Sequence, residues 1–312
     1  MGNINILTRN RKLIVRAAIF LLVLGNGLAW YFIVSENRGD TLTVAFLDIG
    51  QGDSIFIEAP NGNQIIFDGG PNGKILTELS KVMPFYDRSI DMIVVTNPDK
   101  DHFAGFIDLL DRYKISKIME PGTKSNTSTY LEFEKAVEKQ VKDGKGRGKN
   151  GSDKVEKILA RRGMRITLDR ERAIYIDILF PDRDVSDLKT NDGSIIARLV
   201  YADTSVMLTG DAPQKTEDRV VKLDNAQGAP STSLKSDILK VGHHGSRTST
   251  GEKFVEKMAP KYAVISSGKN NKYDHPHLET LETLKKFHVT VLRTDERGAI
   301  VMKSDGHTFR AQ

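Results

Sequence analysis

The chain has 312 residues, 39% hydrophobic and 28% charged, the balance of a chain that buries a large core beneath a polar surface. A net charge of +5 suits an anionic partner and a solvated basic surface equally, so it selects neither. With no cysteine, disulfides, thiolate metal sites and a cysteine nucleophile are excluded, and any metal must be held by His, Asp, Glu, Asn or backbone oxygen.

The first segment reads as an anchor. Arg9, Arg11, Lys12 and Arg16 mark a basic N-terminus over residues 1–16, and an apolar run fills 17–34 with Asn26 its one strongly polar residue. About 20 apolar residues span a bilayer. Trp30 and Tyr31 suit the headgroup level, and basic flanks stay cytoplasmic. The expectation is a single transmembrane helix in the cytoplasmic membrane, with everything beyond the linker 35–40 outside. A cleaved signal peptide competes through the small residues Gly27 and Ala29, but residues 30–34 carry the apolar run past that point.

Beyond the linker the pattern is rich in strands. Residues 41–47 alternate, 54–58 and 64–67 form a hairpin across Pro60, Asn61, Gly62 and Asn63, and 73–82 is helical. A buried strand at 91–96 leads into an amphipathic helix at 103–113 and a strand at 117–120. The stretch 122–163 is a polar, basic insertion in which two helical segments flank a Gly- and Lys-rich loop at 142–152. That loop reads as a solvated surface or as a track for a phosphate backbone. Strands return at 174–180, and 194–201 pairs with 205–209 through Ala202 and Asp203. Strands at 238–241 and 262–266, a helix at 278–287 and strands between 290 and 303 complete an alternating α/β pattern in two similar halves. Residues 41–312 are expected to form one domain.

Four strand ends carry chemistry. The densest is Asn97, Pro98, Asp99, Lys100, Asp101 and His102, between a buried strand and a helix. Two carboxylates and an imidazole so close repel or titrate unless a cation relieves them, which points to a metal. A helix cap accounts for one Asp, not for two with a His. The others are Asp211 at the end of an apolar strand, the pair His243 and His244 between glycines, and His275 with His277 around Pro276. Sites in layered α/β folds gather at such ends.

Together with FLDIGQGDSIFI (46–57), IIFDGG (65–70), TNPDKDHFAGF (96–106), NDGSIIARLVY (191–201), LTGD (208–211), LKVGHHGSRTS (239–249), AVISSGKNNKYDHPH (263–277) and RTDERGAI (293–300), this set resembles the metallo-β-lactamase superfamily. Within it, the chain is similar to the hydrolase domain of the ComEC competence proteins over roughly residues 41 to 305. The resemblance implies a four-layer αββα sandwich, preceded here by the N-terminal transmembrane helix. It also implies metal roles for Asn97, Asp99, Asp101, His102, Asp211 and His243, with His243 preferred over His244 as the first off the strand. Asp101, His244 and His275 would carry catalysis. Gln51, Asp53, Asn191, Ser194, Ser246 and His277 would line the substrate, with Asp48 at the rim and Asp68 supporting the ligand loop.

One departure stands out. The family's motif opens with His where this chain has Asn97, and a neutral amide is a weaker ligand than imidazole. The expected cofactor is one or two divalent ions, Mn²⁺ or Zn²⁺ before Mg²⁺. The expected function is hydrolysis of a phosphodiester, with extracellular DNA as substrate and a separate channel protein as partner in competence-type uptake. Two rival readings are a catalytically weak DNA-binding or assembly subunit, favoured by Asn97, and a lactone or lactam hydrolase.

Overall fold

A computed structural model describes residues 3–36, 39–142, 155–226 and 234–312; the side chains of 3–12, 29 and 31–36 lie outside the description. The chain divides into two compact units, Met1–Gly39 and Asp40–Gln312. The first is one helix, α1 (Asn3–Glu36). Asn26 satisfies its amide within it, donating to the Leu22 carbonyl at 2.8 Å. The described apolar side chains are exposed, Phe20 at 66% and Leu22 at 67% among them.

The expected anchor at 17–34 is therefore helical, yet among the described residues no helix is long and apolar enough to cross a membrane. The flanking side chains of Arg9, Arg11 and Lys12 lie outside the description, as does the basic loop at 143–154.

The second unit is two sheets. The chain enters the first through the antiparallel strands β1 (Leu42–Phe46), β2 (Ile55–Glu58) and β3 (Gln64–Phe67). It continues in parallel through β4 (Ser89–Val94), β5 (Lys114–Glu120) and β6 (Glu156–Leu159). The second sheet runs antiparallel through β7 (Arg165–Asp169), β8 (Ile174–Phe180), β9 (Ile196–Tyr201) and β10 (Thr204–Leu208). It then runs parallel through β11 (Ile238–Lys240), β12 (Tyr262–Ile265) and β13 (Thr290–Arg293). Finally β14 (Ile300–Ser304) and β15 (Phe309–Ala311) return to the first sheet beside β1. Each sheet is thus half meander and half parallel.

Period-two side-chain alternation turns these sheets into three cores. Met92 and Val94 of β4 face the second sheet, joining Phe46, Phe67, Ile178 and Leu199 in the central layer. Their neighbours Ile93 and Val95 face outward, under α2 (Lys74–Val82), α4 (Gly105–Arg112) and α5 (Ser128–Lys142). On the far side, Met207, Leu239 and Ile265 pack under α6 (Gln214–Asn225), α7 (Glu252–Met258) and α8 (Leu278–Lys286). Helix, sheet, sheet and helix give the four layers. Strands buried on both faces read as continuous apolar runs, which is why β4 and β10 were legible.

The insertion corrects one expectation. Its first helical segment is α5, but the second is the edge strand β6, paired in parallel with β5 from Lys117↔Glu156 to Glu120↔Leu159. Its exposed charges hid a strand that rests on backbone pairing at a sheet edge.

Candidate metal centre

Parallel strands deliver side chains at their carboxyl ends, and the site lies there. After β4 the chain turns through Asn97 and Asp99 into a short helix, α3 (Lys100–Phe103), which carries Asp101 and His102. Asp211 follows β10, and the two histidines follow β11.

His102 is fully buried and held from behind: its Nδ1 lies 2.9 Å from Asp68 Oδ2. Asp68 also accepts from the Thr96 amide at 2.7 Å and its hydroxyl at 2.6 Å. Asp68, expected to support the ligand loop, thus lies between His102 and Thr96. With Nδ1 so engaged, His102 presents Nε2, 3.1 Å from Asp211 Oδ2. Burial opposes a charge here, but Asp211 and Asp68 outweigh it and push the imidazole well above its usual value. Burial pushes the Asp68 carboxyl up.

His244 repeats the arrangement. Its Nδ1 meets the Ser266 carbonyl at 3.1 Å and Asp53 Oδ1 at 3.3 Å. Its Nε2 lies 3.2 Å from Asp101 Oδ2 and 3.7 Å from Asp211 Oδ1. Despite burial, Asp211 and Asp53 raise it to about 10. Asp211 is held far below the carboxylate range against its burial by His102 and His244. Asp101, with burial likewise opposing, is lowered by His244 and His102.

These groups fit a cation. His102 Nε2, His244 Nε2, Asp211 Oδ1 and Asp53 Oδ1 are buried and lack any hydrogen-bond partner, although they face one another at ion-pair range. Two sets bring ligand atoms within 4.8 Å of each other: Asp101, His102 and His244, and Asp53, His102 and Asp211. Imidazoles braced at Nδ1 by carboxylate or carbonyl, with Nε2 converging on carboxylates, form a donor set for a divalent metal.

Two expectations change on this geometry. His244, not His243, joins the donor group; His243 is partly exposed, with Nδ1 3.3 Å from Thr248 Oγ1 and Nε2 3.7 Å from Asp211 Oδ2. Both residues take left-handed backbone conformations, at φ 49° and 56°. That turn sends the second side chain inward, so distance from the strand was no guide. Asp53, expected to line the substrate, is instead buried behind His244. It is 1% exposed, and its Oδ2 pairs at 2.7 Å with Lys240, whose side chain is completely buried. Burial would raise Asp53, but Lys240 and then His244 bring it down to about 2. Lys240 escaped the sequence reading because a lone lysine in an apolar strand looks like a surface residue. Its signal was position, between Leu239 and Val241.

The remaining residues form the walls. Asn97 is fully buried, its Nδ2 donating to Asn191 Oδ1 at 2.7 Å and its Oδ1 accepting from the Asp99 amide at 3.1 Å. Asp99 accepts from the Thr190 hydroxyl at 3.0 Å, and burial pushes its carboxyl up. Ser194 is buried, with a hydroxyl that has no partner. Opposite, His275 lies with its ring centroid 6.3 Å from that of His244, and Gln51 Nε2 lies 3.5 Å from His275 Nδ1. Burial, then the charge on His244, pulls His275 down to about 4. His277 accepts the Arg247 amide at 3.0 Å, and the Ser246 hydroxyl meets Thr248 Oγ1 at 3.0 Å. Asp48 lies at the periphery, 3.2 Å from Lys74 Nζ.

Gly52 holds two of these loops together. Its φ is +137°, and a Cβ there would sit 2.3 Å from the Asp101 carbonyl oxygen, beside the Asp53 N–H that donates to that oxygen at 3.2 Å. Gly52→Ala therefore has to displace Asp101. Overpacking of this kind costs roughly 1–3 kcal/mol. Thermal melting should show that loss and a metal titration a weakened site; a variant that melts and binds like the parent would refute the close approach.

Comparison with known proteins agrees with the geometry. The model of the metallo-beta-lactamase superfamily matches residues 47–269. ComE operon protein 3 of Bacillus subtilis is 30% identical over 82% of this chain and 32% of its own length. Recombination protein 2 of Haemophilus influenzae is 28% identical over 83% and 28%. Competence protein ComA of Neisseria gonorrhoeae is 26% identical over 86% and 32%. The chain thus spans about a third of the length of these relatives. Among solved structures, a CmlA beta-hydroxylase variant superposes with a TM-score of 0.50 at 11% identity, covering 84% of this chain and 54% of that one, a likeness of fold alone.

Proposed function

The chain belongs to the metallo-beta-lactamase superfamily, and from that premise we propose that it is a metal-dependent phosphodiesterase acting on DNA. The observation that carries this is the convergence of two Nδ1-braced imidazoles on Asp101 and Asp211. Asp101, His102, His244 and Asp211 would hold the ion. A divalent ion bound there supplies Lewis acidity, polarising a phosphoryl oxygen and acidifying water.

The chain's own residues do the rest. Asp68 and Asp53 fix the two rings, so that Nε2 of each is the free nitrogen. In the metal-free chain burial and then the charge on His244 hold His275 down to about 4, and an ion on His244 would remove that charge and leave the neutral His275 a better base. In this reading it accepts the proton of the attacking water. Two imidazole nitrogens beside two carboxylates suit Mn²⁺ or Zn²⁺ before Mg²⁺, which prefers oxygen donors alone.

The relative named competence protein ComA supports DNA as substrate in this reading. We place the catalytic unit outside the cytoplasmic membrane, anchored through 17–34, with passage of DNA left to a separate channel protein. The deciding assay uses labelled single- and double-stranded DNA with Mn²⁺, Mg²⁺ or Zn²⁺, beside Asp101→Ala. Metal-dependent cleavage should fall at least about 100-fold in the variant, since a ligand matters more than the 10–100-fold of an outer partner. Binding of DNA without cleavage under every metal would move the chain to the assembly role that Asn97 favours. Turnover of a lactone or lactam instead would overturn the substrate.

A further inference from the structure

Resting on the reading of a metal-dependent enzyme, we infer that this chain is built for one divalent ion, and that the buried Asn97–Asn191 amide pair closes the position a second would take.

The two candidate donor groups both require His102. Its Nδ1 is committed to Asp68 at 2.9 Å, so Nε2 alone is open, and an imidazole nitrogen offers one lone pair. The two groups are alternatives for one ion, not two sites. Charge agrees. Asp53 is already neutralised by Lys240 at 2.7 Å, which leaves Asp101 and Asp211 to match a single dication beside neutral imidazoles.

Beyond these two groups no further set of three His or carboxylate donors converges among the described residues. Asn97 is buried, its nitrogen donating to Asn191 Oδ1 at 2.7 Å and its oxygen accepting from the Asp99 amide at 3.1 Å. Asn191 also lies 3.5 Å from the Thr190 hydroxyl, which donates to Asp99 at 3.0 Å. The Thr96 carbonyl accepts the Ile195 amide at 2.9 Å and fixes the two loops against each other. This is a closed network of amides and hydroxyls with one carboxylate. An ion there would meet a neutral amide oxygen that already accepts one hydrogen bond and a carboxylate held by Thr190, a weak donor set without an imidazole. His243 stands outside both groups.

The test counts ions. The full chain is stripped with chelator, loaded with Mn²⁺ and dialysed, then measured by elemental analysis and electron paramagnetic resonance. One Mn²⁺ per chain with an uncoupled six-line signal is expected. Asn97→Ala should keep one ion at an affinity within about threefold of the parent, because the amide is no ligand. Asn97→His should raise the count to two and give an exchange-coupled signal. Two ions in the parent, or loss of the ion in Asn97→Ala, would overturn the inference, as would Asn97→His remaining at one. No ion in the parent would sink the metal-dependent reading itself, a separate result.

Discussion

Asp211→Asn is expected to abolish metal binding and DNA cleavage while leaving the fold in place. Among the described residues Asp211 faces three imidazoles, His102 at 3.1 Å and His243 and His244 each at 3.7 Å. Asparagine keeps the shape and removes the charge. Metal affinity should drop by more than the roughly 10–100-fold typical of an outer-shell partner. A chelator-treated parent supplies the control, and a variant that still binds Mn²⁺ with parental affinity would show that the ion sits elsewhere.

The same substitution carries a pH signature. In the metal-free chain Asp211 is the first-ranked attraction lifting both His102 and His244, the latter to about 10. A histidine raised on folding adds stability that is complete below its unfolded value near 6.5 and fades as pH climbs to the folded value. Asp211→Asn should therefore cost the metal-free chain most at pH 6, with the gap closing toward pH 10. Metal works in the opposite sense. An ion must displace the protons from both Nε2 atoms, so parental affinity should rise steeply from pH 6 to pH 9. Melting curves with and without Mn²⁺ at the two pH values test both trends.

Local signals made much of this molecule legible. Apolar runs marked β4, β8, β10 and β11, and the carboxylates crowded at Asp99 and Asp101 marked the loop that carries Asp101 and His102, because both features are contiguous in sequence. What escaped depends on distant partners or on backbone geometry. Helix α6 was missed: its mostly charged surface leaves only Thr216, Glu217 and Val220 buried, too little for a visible stripe. The choice between His243 and His244 turned on two left-handed residues, a conformation uncommon enough outside glycine that the sequence does not announce it. Asp53 resembled a loop carboxylate, and only the folded chain brings Lys240 to it. Their pairing is the least legible feature of the site and among its most consequential.

Lys240→Met tests that pairing. Both side chains are buried to 1% exposure or less, and the ammonium also donates to the Val241 carbonyl at 2.8 Å. Methionine matches the volume, so the change leaves little cavity and strands a carboxylate. Breaking a buried pair from one side costs about 3–5 kcal/mol. At roughly 2–4 °C per kcal/mol for a domain of this size, melting should fall by about 6–20 °C. Asp53 is depressed to about 2, so its favourable contribution is present above the unfolded value near 3.8 and is lost as pH falls toward 2. Without Lys240 the burial that opposes its charge loses its main counterweight, and the carboxyl moves up. The deficit of the variant should therefore be largest at neutral pH and shrink on acidification. Adding Asp53→Asn to Lys240→Met should restore part of the loss by removing the stranded charge. It should not restore the metal site, because His244 loses the carboxylate that braces Nδ1. A double variant as unstable as Lys240→Met alone would mean that the lysine acts by packing, and that Asp53 is held by His244 without it.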